Sequence, residues 1–160
     1  MGGNIKWDTD LETGIQVIDR QHKEFFRLVN DLLDNSLDMR DRDAGSDRES
    51  VMKAFSFLNL YIIDHFGMEE SLMQEYGYQF LKEHSGFHRY FRKELYKLET
   101  QIGGNHLEEV LRRLNYLMVN WFVNHIRVHD RKLAKFLHEK ANVSQKLSNM
   151  LEELMKKFFG

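Results

Sequence analysis

The stretch IDRQHKEFFRLVNDLLDNSL, residues 18–37, repeats its apolar residues at the pitch of a helix. After Ile18, the residues Phe25, Phe26, Leu28, Val29, Leu32, Leu33 and Leu37 recur at three- and four-residue steps, which lines them along one face. Such a face needs partner helices to cover it, and the rest of the chain supplies them.

The next segment, MRDRDAGSDRES, is polar with one glycine, and its Ser46 and Glu49 stand at capping-box spacing. A second helix is predicted from about Asp47 to Gln74, with Gly77 as its stop signal. A third runs from about Gln79 to Thr100 and ends at Gly103-Gly104. Asn105 followed by Glu108 reads as an N-cap opening a fourth, which carries Leu111, Leu114, Leu117, Met118, Trp121 and Phe122. A break near Ala141-Asn142 precedes a short fifth helix whose apolar stripe is Val143, Leu147, Leu151, Leu154 and Phe158. No segment alternates with period two, and proline is absent where average usage would give roughly eight.

The predicted fold is therefore all-α: an antiparallel up-down-up-down four-helix bundle with an additional short C-terminal helix. Residues 1–160 read as one domain, the bundle covering about 14–140 and the C-terminal extension about 142–159. That last helix either packs on its own bundle or docks onto a partner or second subunit, so monomer and homo-oligomer both stay open.

Composition narrows the function. Basic and acidic residues nearly cancel, 23 against 25, which argues against nucleic acid and against an anionic membrane surface. No apolar run approaches the roughly 20 residues of a spanning helix, and the N-terminus turns polar at once, so a soluble, cytoplasmic protein is expected. Without cysteine, any metal must be held by nitrogen and oxygen.

Nitrogen and oxygen ligands are what the helices offer. Side chains four apart on a helix project within about 40° of each other. His65 and Glu69 share this spacing on the second helix, as do His84 and His88 on the third. Bulky apolar residues flank both pairs, Phe66, Leu72 and Met73 beside one and Phe87 and Phe91 beside the other. His22 precedes Phe25 on the first helix, and His125 follows Trp121 on the fourth, so all four helices can deliver imidazole to one core. On the fourth helix two rules conflict. Spacing favours His129, four residues after His125, whereas Asp130 lies five residues on, about 140° around an ideal helix. Charge favours Asp130, because two buried divalent ions need a second carboxylate beside Glu69.

The stretches GIQVIDRQHKEFF at 14–26, HFGMEESLM at 65–73, HSGFH at 84–88 and WFVNHIRVHD at 121–130 together resemble the hemerythrin family, bacterial hemerythrins in particular. The resemblance implies a non-haem di-iron centre. His84, His88 and His125 would hold one iron, and His22 and His65 the other. Glu69 and Asp130 would bridge the two with a solvent-derived oxo or hydroxo group. The family's bridging aspartate stands five residues after its histidine, which selects Asp130 and leaves His129 beside the site or exposed. His106 and His138 lie outside every matching stretch and read as surface residues.

Ferritin-like di-iron bundles use Glu-x-x-His motifs, and none occurs in this chain. Neutral imidazoles stabilise high-valent iron less than carboxylates do, so the expected activity is reversible O2 binding for storage, delivery or buffering, not catalysis. Phe25, Phe66, Trp121, Phe122 and Ile126 stand where they would wall a dry O2 pocket, or simply pack the core. The alternatives are an O2-, NO- or redox-sensing module signalling to a partner, and a di-iron oxidase or peroxidase.

Overall fold

The computed structural model describes residues 5–35, 44–104 and 107–160, apart from the side chains of 44–47. Four long helices build the bundle: α1 (Gln16–Asn35), α2 (Ala44–Glu75), α3 (Leu81–Gln101) and α4 (residues 107–141), followed by α5 (Gln145–Phe159). Consecutive helices pack side by side, and α1 meets α4 through Phe25 and Phe122, whose rings lie 5.1 Å apart. This is the four-helix bundle with one further helix that the apolar periodicity predicts.

The helix ends refine the sequence reading. α2 begins at Ala44, so Ser46 falls inside its first turn and its side chain lies outside the described residues. Leu37, Asn105 and His106 also lie outside them. Gly77 does stop α2. It takes φ +69°, the Tyr78 N–H reaches the Met73 carbonyl and the Gly77 N–H reaches that of Gln74, the paired bonds of a Schellman ending. At the start of α1, Gly14 holds φ +84°, and the Asp19 carboxylate accepts from the backbone N–H groups of Thr13 and Gly14.

The start of α5 is capped by Ser144, whose hydroxyl accepts from the Leu147 N–H at 3.2 Å. Val143, predicted on the apolar stripe, precedes the helix and is 84% exposed. The helix itself packs on its own bundle against α1 and α4, burying Leu147 and resting Met150, Leu151, Leu154 and Phe158 on the core. An N-terminal strap completes the covering. Asn30 in α1 both donates to the Ile5 carbonyl and accepts from its N–H, at 2.9 Å each, and Arg127 pairs with Asp10 at 2.6 Å.

The apolar core is split in two along the bundle axis. One cluster gathers Phe25, Phe55, Ile62, Phe66, Phe91, Leu114, Phe122 and Ile126. The other gathers Ile18, Leu72, Met73, Tyr78, Leu133, Leu137 and Leu147. Burying each large side chain contributes roughly 1.5–3 kcal/mol. Between them lies a layer of buried polar residues drawn from every helix of the bundle.

Candidate metal centre

That layer contains His22 from α1, His65 and Glu69 from α2, His84 and His88 from α3, and His125 and Asp130 from α4, each at most 3% exposed. Their donor atoms form two groups with potential for a metal: His84, His88, His125 and Asp130, and His22, His65, Glu69 and Asp130. All seven candidate ligands of the sequence are brought together, and no two helices contribute alike.

On α4 the backbone brings Asp130, and not His129, to the layer. Two stretches of this helix, Met118–Phe122 and Ile126–Asp130, are π turns. The Val123 N–H bonds the Met118 carbonyl and the Arg131 N–H bonds the Ile126 carbonyl, five residues back instead of four. A turn that holds one more residue carries Asp130 over His125, and its Oδ1 comes 3.2 Å from His125 Nε2. His129 turns aside. Its half-buried ring lies 4.3 Å from that of exposed Phe87 and belongs to neither group.

Each carboxylate reaches both groups. Glu69 Oε1 lies 2.6 Å from His65 Nε2 and 3.8 Å from His22 Nε2, while its Oε2 lies 3.4 Å from the Nε2 atoms of both His84 and His88. Asp130 Oδ2 lies 3.0 Å from His22 Nε2, and its Oδ1 lies 3.1 Å from His84 Nε2. One oxygen of each carboxylate therefore faces each cluster of imidazoles.

Among the described residues, the five Nε2 atoms and four carboxylate oxygens are buried without a formed hydrogen bond. Buried polar atoms are nearly always satisfied, so a convergent unsatisfied set of this size fits a bound cation. Imidazole nitrogen with carboxylate oxygen suits first-row divalent metals, iron among them. The electrostatics agree. Burial and mutual repulsion press the Glu69 carboxyl upward, yet the surrounding histidines prevail and hold it well below its usual range. Asp130 behaves likewise under His125, His22 and His84. Burial would lower His84, but Asp130 and Glu69 overcome it and raise the imidazole to about 10. The metal-free cluster is thus neutralised partly by protons that a metal would displace.

Aromatic rings line the layer unevenly. Phe66 stacks on His88 at 3.8 Å and Trp121 on His125 at 4.8 Å, both nearly parallel and both at the three-histidine group. Phe122 meets His22 edge-on at 5.9 Å and packs on Phe25, while Ile126 is fully buried.

Three neighbours escaped the sequence reading. Gln21 Oε1 lies 2.6 Å from His65 Nδ1, Glu70 Oε1 lies 3.8 Å from His88 Nδ1, and Trp7 of the strap stands 6.4 Å from His22. Only the adjacency of Gln21 to His22 and of Glu70 to Glu69 hinted at the first two. His138 stays remote and exposed, its Nε2 only 2.8 Å from where a Cβ on Gly14 would fall.

A four-helix bundle crossed by a buried layer of histidines and carboxylates defines a class of helical-bundle metal proteins. Residues 13–137 match the family model described as the hemerythrin HHE cation binding domain. The chain is 33% identical over 162 residues to a bacteriohemerythrin of Pseudomonas aeruginosa, covering 98% of this chain and 99% of that protein. It is 32% identical over 163 residues to one of Stenotrophomonas maltophilia, with 98% of each covered. It is also 25% identical over 127 residues to a myohemerythrin of Theromyzon tessulatum, with 79% and 88% covered. The chain belongs to the hemerythrin family.

Proposed function

We propose that the chain holds two iron ions in this layer and binds O2 reversibly, serving storage, delivery or buffering of oxygen. His84, His88 and His125 would hold one ion, His22 and His65 the other, with Glu69 and Asp130 spanning both. The observation that carries the reading is the carboxylate arrangement, in which one oxygen of Glu69 and one of Asp130 faces each imidazole group and none of the four forms a hydrogen bond. Iron bound there would supply the electrons that O2 accepts when captured and returns when released.

The chain's own residues would make that exchange reversible by keeping water and stray protons out. Phe25, Phe122 and Ile126 fit the wall at the two-histidine group, where fewer protein ligands leave room for a gas molecule. Phe66 and Trp121 fit a different task within the same wall, holding the rings of His88 and His125 flat. Five imidazoles against two carboxylates favour capture of O2 over its activation.

The reading is tested by loading the metal-free chain anaerobically with Fe(II), counting bound iron, and recording optical spectra through cycles of O2 and argon. About two irons per chain and a charge-transfer band that comes and goes with O2 are expected. Prompt oxidation that argon does not reverse would favour sensing or oxidase chemistry instead.

A further inference from the structure

The ring stack at the three-histidine group continues outward to water. Trp121 lies 4.8 Å from the His125 ring at an angle of 9°, and its other neighbours are Phe91 at 4.9 Å and Tyr90 at 5.9 Å. These are the separations of packed aromatic pairs. His125 is 2% exposed, Trp121 is half-buried and Tyr90 is 49% exposed, so three rings lead from a candidate ligand to solvent. Two of them can be oxidised. In a chain without cysteine, tryptophan and tyrosine are the side chains that most readily give up a single electron. The opposite side of the layer offers a poorer route. Trp7 stands 6.4 Å from His22, tilted by 37°, and the Lys23 ammonium lies 5.2 Å over its ring. Such a charge is attracted to a neutral ring but repels one that has lost an electron. Trp7 Nε1 is also buried with no hydrogen-bond partner, which leaves its proton no acceptor. Among the described residues, no cation lies over the ring of Trp121 or Tyr90.

From this path we propose that Trp121 and Tyr90 form an electron relay, which carries oxidation from the buried layer to the surface when peroxide reaches the site. The inference rests on the two-metal reading above. Hydrogen peroxide becomes two waters by taking two electrons and two protons. A pair holding one Fe(II) and one Fe(III) supplies one electron. Trp121 supplies the other through the stacked ring of His125, and Tyr90 then refills Trp121. Tyr90 ends as a neutral phenoxyl radical, having given up one electron and its phenolic proton, and solvent supplies the second proton. The relay would spare the ligand histidines by moving the damage to an exposed ring that external reductants can reach.

The test starts from the full chain loaded with two irons, brought to the half-oxidised state with ferricyanide and mixed anaerobically with one equivalent of hydrogen peroxide. Freeze-quench electron paramagnetic resonance and peptide mass spectrometry then locate the oxidised side chain, a readout separate from O2 binding. A tyrosyl radical is expected in the unmodified chain, with oxidation mapped to Tyr90. Tyr90→Phe should abolish that tyrosyl signal and leave the oxidation on Trp121. Trp121→Phe should lose the signal at Tyr90 and shift oxidation to the ligand histidines. Phenylalanine keeps a ring against His125 but yields its electron far less readily, so this change separates electron transfer from packing. Tyr90 is exposed, so its variant decides the matter even if Trp121→Phe does not fold. Oxidation that falls elsewhere, on Trp7 for instance, or a radical yield per bound iron that neither change alters, would overturn the relay alone. So would two bound irons with no protein radical. Failure of the unmodified chain to bind two irons would overturn the two-metal reading with it.

Discussion

At the scale of single residues, the candidate ligands on the second and third helices were legible because chemistry and helical spacing coincide, whereas Asp130 was chosen by charge and by the resemblance against the spacing. His65 with Glu69 and His84 with His88 announce themselves at four-residue steps, and the helices that carry them bring them into one layer. Gln21 was not legible, since its bond to His65 crosses 44 residues of sequence and leaves no spacing to read. Two substitutions separate the ligands from their neighbours. Glu69→Ala is expected to remove a carboxylate that reaches both groups and to cost most of the bound iron. His129→Ala is expected to leave two irons per chain, because its ring lies on Phe87 and in neither group. Metal analysis of the purified variants checks both, and iron loss in the second would reopen the choice between His129 and Asp130.

At the scale of elements, α4 is where periodicity alone misleads. Spacing read at the ideal α pitch misplaces residues across a π turn, because the extra residue is absorbed within one turn and keeps the flanking faces in register while the sequence pattern slips by one position. Deleting exposed Val128 should therefore convert Ile126–Asp130 to an ordinary α turn and keep Leu133, Ala134 and Leu137 facing the core. Inserting one alanine there should instead rotate everything beyond by about 100° and turn Leu133, Ala134 and Leu137 out of their apolar cluster. Thermal melts of the two metal-free variants distinguish them, and a deletion as damaging as the insertion would contradict the π assignment. The short helix α5 makes a simpler prediction. Leu147 is fully buried against the bundle, so Leu147→Ala should cost about 2–5 kcal/mol in urea unfolding, where an element docked on some other molecule would cost nothing.

For the whole molecule, a polar layer divides two apolar clusters, and its stability must depend on what neutralises it. Without metal, His84 is raised from 6.5 to about 10 by Asp130 and Glu69, although burial opposes this. The stabilisation from that proton is fully present below pH 6.5 and is lost as pH rises toward about 10. The two carboxylates, held low, contribute above their ordinary range and lose that contribution as pH falls. His65 and His125, pushed down by burial, add to the acid-side loss below pH 6.5. Urea midpoints of the metal-free protein should decline on both sides, and iron should flatten the alkaline arm by replacing the proton on His84. The bundle and its order of helices were legible as a whole, while the strap with Trp7 was not, because it is held by Asn30, the Arg127–Asp10 pair and a few apolar contacts without any periodic pattern.

The central claim is that five histidines and two carboxylates form one site for two irons and reversible O2. The most direct measurement is anaerobic Fe(II) loading followed by iron analysis and optical spectra through repeated O2 and argon cycles. The account predicts about two irons per chain and an absorption band that rises with O2 and disappears under argon. Binding of one iron or none, or a spectrum indifferent to O2, would contradict it.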